Sequence, residues 1–126
     1  MDIQSLDHLV LTVKSIEDSV NFYCDILGMQ HIQFGDNRHA LKFGEQKINL
    51  HQADNIFQPA AESPTTGSAD LCFIVSTPIK WIINELKLAG VDVIDGPVER
   101  TGATGRILSV YVRDPDMNLI ELSNLI

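Results

Sequence analysis

The sequence predicts an α+β fold made of two copies of one module, and three observations carry that prediction. A strand-like segment, a helix-like segment and three short strand-like segments follow one another twice in the same order. Helical spacing of apolar residues takes over from strand-like runs at the same point of each copy. Each copy holds roughly 55 residues, too few to bury a core alone, whereas 126 residues is the length of one ordinary domain. One domain over residues 1–126 is therefore expected, with module one over about 5–52, a linker or loop over 53–68, and module two over about 69–126.

Residues 6–13 read Leu-Asp-His-Leu-Val-Leu-Thr-Val, aliphatic and β-branched at a strand's length. Ser15 offers an N-cap, Glu17 and Asp18 suit a first turn, and Ile16, Val20, Tyr23 and Leu27 recur at helical spacing. Gly28 closes this helix over 16–27. Strands are predicted over 30–34, 39–43 and 47–51, separated by Gly35-Asp36-Asn37 and Gly44-Glu45. Residues 52–68, with Pro59, Pro64 and Gly67, lack periodicity and read as a loop. The second copy starts with a strand over 69–75 and continues with Thr77 as N-cap, Pro78 as first helical residue and a helix over 79–88. Strands over 91–94, 108–112 and 119–123 complete it, with Asp114-Pro115-Asp116 as the last turn. Phe22 and Tyr23 are expected to pack helix on sheet, and Phe73 and Trp81 to sit in the core.

Charge excludes whole classes of function. Nine Lys and Arg against 17 Asp and Glu give a net charge of -8, which disfavours nucleic acid and anionic membrane surfaces as partners. No apolar run approaches the ~18 residues of a membrane span. The start, Met1-Asp2-Ile3-Gln4, lacks the basic and apolar regions of a signal peptide. Cys24 and Cys72 are too few for a disulfide framework, so a reducing, cytoplasmic setting is expected.

Four polar residues break the strand pattern. His8 interrupts the first strand of module one and His51 ends its last; Asp70 sits near the start of the first strand of module two and Glu121 lies in its last. His8 and Asp70 thus read as equivalent, and so do His51 and Glu121. A carboxylate inside a sheet is unfavourable unless paired or metal-bound. Two imidazoles and two carboxylates suit one divalent ion of Zn, Ni, Mn, Fe or Co, with positions left open for substrate.

Three stretches resemble the vicinal oxygen chelate superfamily, which holds glyoxalase I, bleomycin-resistance proteins and extradiol dioxygenases. They are Leu6–Val13 with its His8, Asn21-Phe22-Tyr23-Cys24-Asp25-Ile26-Leu27-Gly28, and Arg113-Asp114-Pro115-Asp116-Met117-Asn118-Leu119-Ile120-Glu121-Leu122. The resemblance implies paired βαβββ modules curling into open half-barrels around a metal, a homodimer, and a small-molecule substrate. It implies His8, His51, Asp70 and Glu121 as metal ligands, with Glu121 the catalytic carboxylate of a glyoxalase-I-like lyase or isomerase. An Fe(II) extradiol-type dioxygenase and a non-catalytic, drug-binding resistance protein are the alternatives. This sequence departs from the family pattern in having Asp70 where a His is usual, and Met117 where the turn carries Gly. A turn that keeps its shape would hold Met117 at positive φ. Arg106, following the loop Thr101-Gly102-Ala103-Thr104-Gly105, is the candidate substrate-binding residue. His31 and His39 read as surface or pocket-wall residues, and Cys24 and Cys72 as inert small hydrophobes.

Overall fold

A computed structural model describes residues 1–126, which form two compact units, Met1–Thr66 and Gly67–Ile126. Each unit is an open four-stranded mixed sheet with one helical segment, so the repeated module is real.

In the first unit the strands are β1 (His8–Val13), β2 (Gln30–Phe34), β3 (Arg38–Phe43) and β4 (Gln46–Gln52), arranged β1-β4-β3-β2. β1 runs parallel to β4 and the other pairs are antiparallel. Helix α1 (Ile16–Val20) continues as a π-helical stretch over Asn21–Ile26, where a plain α-helix was predicted. Ser15 is the N-cap, its hydroxyl accepting the Asp18 N–H at 3.1 Å. Phe22 and Tyr23 are buried and meet edge to face at 5.0 Å. They belong to a core with Leu11, Val13, Leu41, Ile48 and Leu50, the residues that alternate onto one face of the sheet.

His31 and His39 sit diagonally across the β2–β3 hairpin with their rings stacked at 5.1 Å. His31 Nε2 and His39 Nδ1 are 2.8 Å apart, so one ring donates an N–H to the bare nitrogen of the other. Partial burial and then the neighbouring His31 charge hold the His39 pKa below its ordinary value. The unfolded chain therefore takes up this proton near pH 6.5 and the folded chain only at lower pH, so stability falls as pH drops below about 6.5. A His39→Gln protein should lose part of this slope between pH 7 and 5 in thermal unfolding; an unchanged slope would assign the effect elsewhere.

The second unit holds β5 (Asp70–Ile74), α2 (Ile79–Leu88), β6 (Asp95–Thr101), β7 (Arg106–Arg113) and β8 (Leu119–Leu125), with strand order β5-β8-β7-β6. β5 runs parallel to β8, as β1 does to β4. Helix α2 buries Ile82 and Leu86. Trp81 is one residue, or about 100°, around the helix from Ile82 and is 53% exposed, so it is a surface residue and not part of the core. Phe73 is half-buried. Thr77 is not the helix cap. The Ile79 N–H is taken at 2.8 Å by the side-chain oxygen of Asn124 on β8, whose amide nitrogen also donates to the carbonyls of Val75 and Thr77. A cap supplied from 45 residues away leaves no local signature.

The strand predicted over 91–94 lies instead at Asp95–Thr101. Gly96 and Pro97 read as breakers, but a register shift between Asp95 and Val98 absorbs them at the edge of the sheet. Gly96 is required there: it holds φ +95°, and a Cβ would collide with the Ser109 carbonyl.

The β7–β8 turn is a lock. The buried Asp114 carboxylate accepts the N–H groups of Asp116 and Asn118, both at 2.9 Å, and the Asn118 side-chain N–H at 2.8 Å. Asn118 Oδ1 in turn accepts the Ala69 N–H at 2.8 Å, fixing the chain just before β5. Of the two outcomes open to a turn that lacks the family's glycine, a changed shape or a strained residue, the structure shows the second, with Met117 at φ +70°. The Met117 side chain is 62% exposed, so replacing it sacrifices little packing. Met117→Gly should raise stability by about 0.5–1 kcal/mol, read as a higher urea midpoint at unchanged slope. A lower midpoint would show that no strain resides there.

Candidate functional site

Strand register identifies the equivalent positions of the two units. In the first, His8 pairs with Lys47, Val10 with Asn49 and Thr12 with His51. In the second, Asp70 pairs with Leu119, Cys72 with Glu121 and Ile74 with Ser123. His8 and Asp70 are equivalent, as expected. The counterpart of Glu121, however, is Asn49, and that of His51 is Ser123. The expectation that matched His51 to Glu121 is corrected by two residues, one full alternation of the strand. The readable signal was the pair of triplets Ile48-Asn49-Leu50 and Ile120-Glu121-Leu122. The same register sets His8 and His51 four steps apart, about 13 Å along the strands.

On the second unit, Glu121 is half-buried and its Oε2 accepts the Ser109 hydroxyl at 2.5 Å. Ser109 and Ser123 hydroxyls lie 2.7 Å apart, and Ser123 also reaches Oε2 at 3.4 Å. Cys72 and Tyr111 flank Glu121 on the neighbouring strands. Desolvation pushes the Cys72 thiol above its ordinary pKa; the Ser123 hydrogen bond opposes this and the Glu121 charge adds to it. Cys72 is an exposed, free thiol and stays protonated at neutral pH. Asp70 stands on the same face, diagonal to Glu121 and exposed. Diagonal neighbours of this kind place their Cβ atoms about 7–8 Å apart, within reach of one ligand for two carboxylates.

The arginines are divided. Arg100 Nε donates to the Tyr111 hydroxyl at 3.0 Å, an interaction that raises the guanidinium pKa further. Arg106 is the first residue of β7, not part of a loop, and is ion-paired with Glu99 on a mostly exposed edge. Arg113 reaches the Met117 carbonyl at 3.4 Å and serves the turn.

On the first unit, His8 Nδ1 lies 2.7 Å from Asp7 Oδ1, and this hydrogen bond is the main cause of a lowered Asp7 pKa. It engages Nδ1, so Nε2 is the nitrogen left for a ligand. Asn49 is 5% and His51 4% exposed, yet neither Asn49 Oδ1 nor His51 Nε2 has a hydrogen-bond partner. Buried polar atoms are nearly always bonded, so two orphans on one face of one strand point to something the chain itself does not supply.

Within neither unit do three or more His, Cys, Asp or Glu gather into a metal-holding group. The donor chemistry within each unit nevertheless suits a hard or borderline divalent ion: on the first, the His8 imidazole and the unpartnered amide oxygen of Asn49; on the second, the Asp70 and Glu121 carboxylates.

A repeated βαβββ sheet unit with acid, amide and imidazole groups at matching register positions defines the class of protein. The chain belongs to the glyoxalase/bleomycin resistance protein/dioxygenase superfamily, whose family model matches residues 5–122. It is 56% identical over 126 residues to virulence protein STM3117 of Salmonella typhimurium, covering 100% of this chain and 88% of that one. The crystal structure of STM3117 superposes with a TM-score of 0.98 over 100% of both chains. Glyoxalase domain-containing protein RDO1 of Mycosarcoma maydis is 52% identical over 124 residues, covering 98% of this chain and 70% of RDO1. An integron cassette protein of V. cholerae is 52% identical with a TM-score of 0.97, over 100% of this chain and 98% of that one.

Proposed function

We propose that the chain is a divalent-metal-dependent enzyme of the glyoxalase I type, acting on a small molecule with neighbouring oxygens. One observation carries the reading: equivalent register positions hold His8 and Asn49 in one unit and Asp70 and Glu121 in the other, all groups that ligate such ions. We assign one ligand pair to each unit, His8 with Asn49 and Asp70 with Glu121, with Asn49 in the place expected of His51. When bound, the ion supplies Lewis acidity toward vicinal substrate oxygens.

Glu121 is the proton carrier. Its Oε2 is held by Ser109, so the carboxylate is oriented and Oε1 is the oxygen that takes a proton from one carbon and returns it to the next. Cys72, protonated beside it, acts as a hydrogen-bond donor and not as a nucleophile. Arg100, turned toward Tyr111 and Glu121, takes over the substrate-gripping role expected of Arg106, which Glu99 occupies. Metal analysis of the purified, dialysed protein tests the reading, followed by an assay on the thiohemiacetal of methylglyoxal and glutathione. About one divalent ion per chain and turnover abolished by chelation are expected. Turnover that survives full metal removal would refute it, and so would oxygen uptake on a catechol with Fe(II), which belongs to a ring-cleaving dioxygenase.

A homodimer belongs to the same reading and is supported by the sheet edges at β1 and β5, which carry the exposed Val10 and Ile74. Light scattering should give twice the 14.0 kDa chain mass. No helix is long and apolar enough to cross a membrane.

A further inference from the structure

The first unit has a feature that the metal reading does not use. Arg38, Ala40 and Lys42 on β3 alternate onto the same sheet face as Lys47, Asn49 and His51 on β4. Three of the chain's nine Lys and Arg thus share one face of a protein with a net charge of -8. Arg38 makes no ion pair and no side-chain hydrogen bond. Its guanidinium lies 5.1 Å from the Phe34 ring and 5.0 Å from the Phe57 ring. Phe57, from the loop after β4, meets the His51 ring edge-on at 5.4 Å. Lys47 Nζ stands 4.2 Å from Phe34. The buried His51 Nε2 beside this group has no partner.

These groups have a common chemistry. Two aromatic faces hold a guanidinium by its plane, which leaves its edge N–H groups as a fork for a carboxylate. The His51 imidazole, when its proton is on Nε2, adds a directional donor. Phe34 and Phe57 provide apolar walls beside it. An organic anion satisfies both the positive charge of Arg38 and Lys47 and the orphaned nitrogen.

We propose that this face binds a small organic carboxylate with an apolar or aromatic body, the carboxylate on Arg38 and His51 Nε2 and the body against Phe34 and Phe57. The site is built from the first unit alone and goes beyond the metal reading. It is tested on chelator-treated full-length protein, so that failure of the metal reading leaves the result unaffected.

The probes are phenylacetate and its uncharged analogue 2-phenylethanol, titrated while ring and backbone amide resonances are followed by NMR. Phenylacetate should perturb the His51 ring and bind at least tenfold more tightly than 2-phenylethanol. Arg38→Gln should weaken phenylacetate at least tenfold with the spectrum still dispersed. Arg38→Lys, which keeps the charge but loses the planar fork, should fall between the two and serves if Arg38→Gln does not fold. Equal affinity for both probes, unchanged affinity in the arginine variants, or perturbation that spares His51 would overturn the proposal.

Discussion

Glu121→Gln is expected to abolish stoichiometric metal binding and to lower turnover by about 10²–10⁴-fold, with the fold intact. The change removes a charge and a proton-accepting oxygen but keeps shape. The Ser109 hydroxyl can still donate to the remaining amide oxygen, so the sheet loses little. The effect should therefore appear in kcat and in metal content and not in the urea midpoint. Dialysis against a defined metal buffer, steady-state kinetics and circular dichroism on one preparation separate these outcomes. Wild-type metal content and turnover in this variant would remove Glu121 from the chemistry.

Asp114→Ala should destabilise the protein by about 3–5 kcal/mol, a large part of a typical total of ~5–15 kcal/mol. The carboxylate is 3% exposed and accepts three N–H groups of the β7–β8 turn. Removing it leaves those donors buried with no acceptor, at about 1–3 kcal/mol for each group left unpaired. The consequence reaches the site, because Asn118, which Asp114 orients, holds the Ala69 N–H immediately before Asp70. Urea unfolding measures the loss. A change below about 1 kcal/mol would mean that water replaces the carboxylate and that the turn is not a lock.

What was legible in the sequence depended on the range of the physics involved. The repeat, the Ser15 cap, the Tyr23 anchor and the strained Met117 turn are set by neighbours within a few residues, and all are present. The cap of α2 comes from Asn124, far along the chain, and so was assigned to Thr77. β6 lies at Asp95–Thr101 and not at 91–94, because a bulge at a sheet edge accommodates Gly96-Pro97, which local rules would count against a strand. Trp81 shows that size and apolarity do not decide burial when the neighbouring Ile82 already occupies the inward position.

The candidate site was legible as a set of residue types but not in register. His51 drew attention as a histidine at a strand end, while Asn49, a neutral amide between Ile48 and Leu50, looked unremarkable until pairing put it opposite Val10 as Glu121 is opposite Cys72. Two residues of error on a strand keep the same face and change the neighbours, which is why composition alone did not reveal it. The orphaned atoms of Asn49 and His51 are a property of burial and became visible only in three dimensions.

The most direct measurement is anomalous diffraction from crystals loaded with cobalt. The account predicts a peak about 2.0–2.6 Å from the Glu121 carboxylate, with the Asp70 carboxylate in the same shell and His51 outside it. A peak ligated by His51, or none at Glu121, would contradict it.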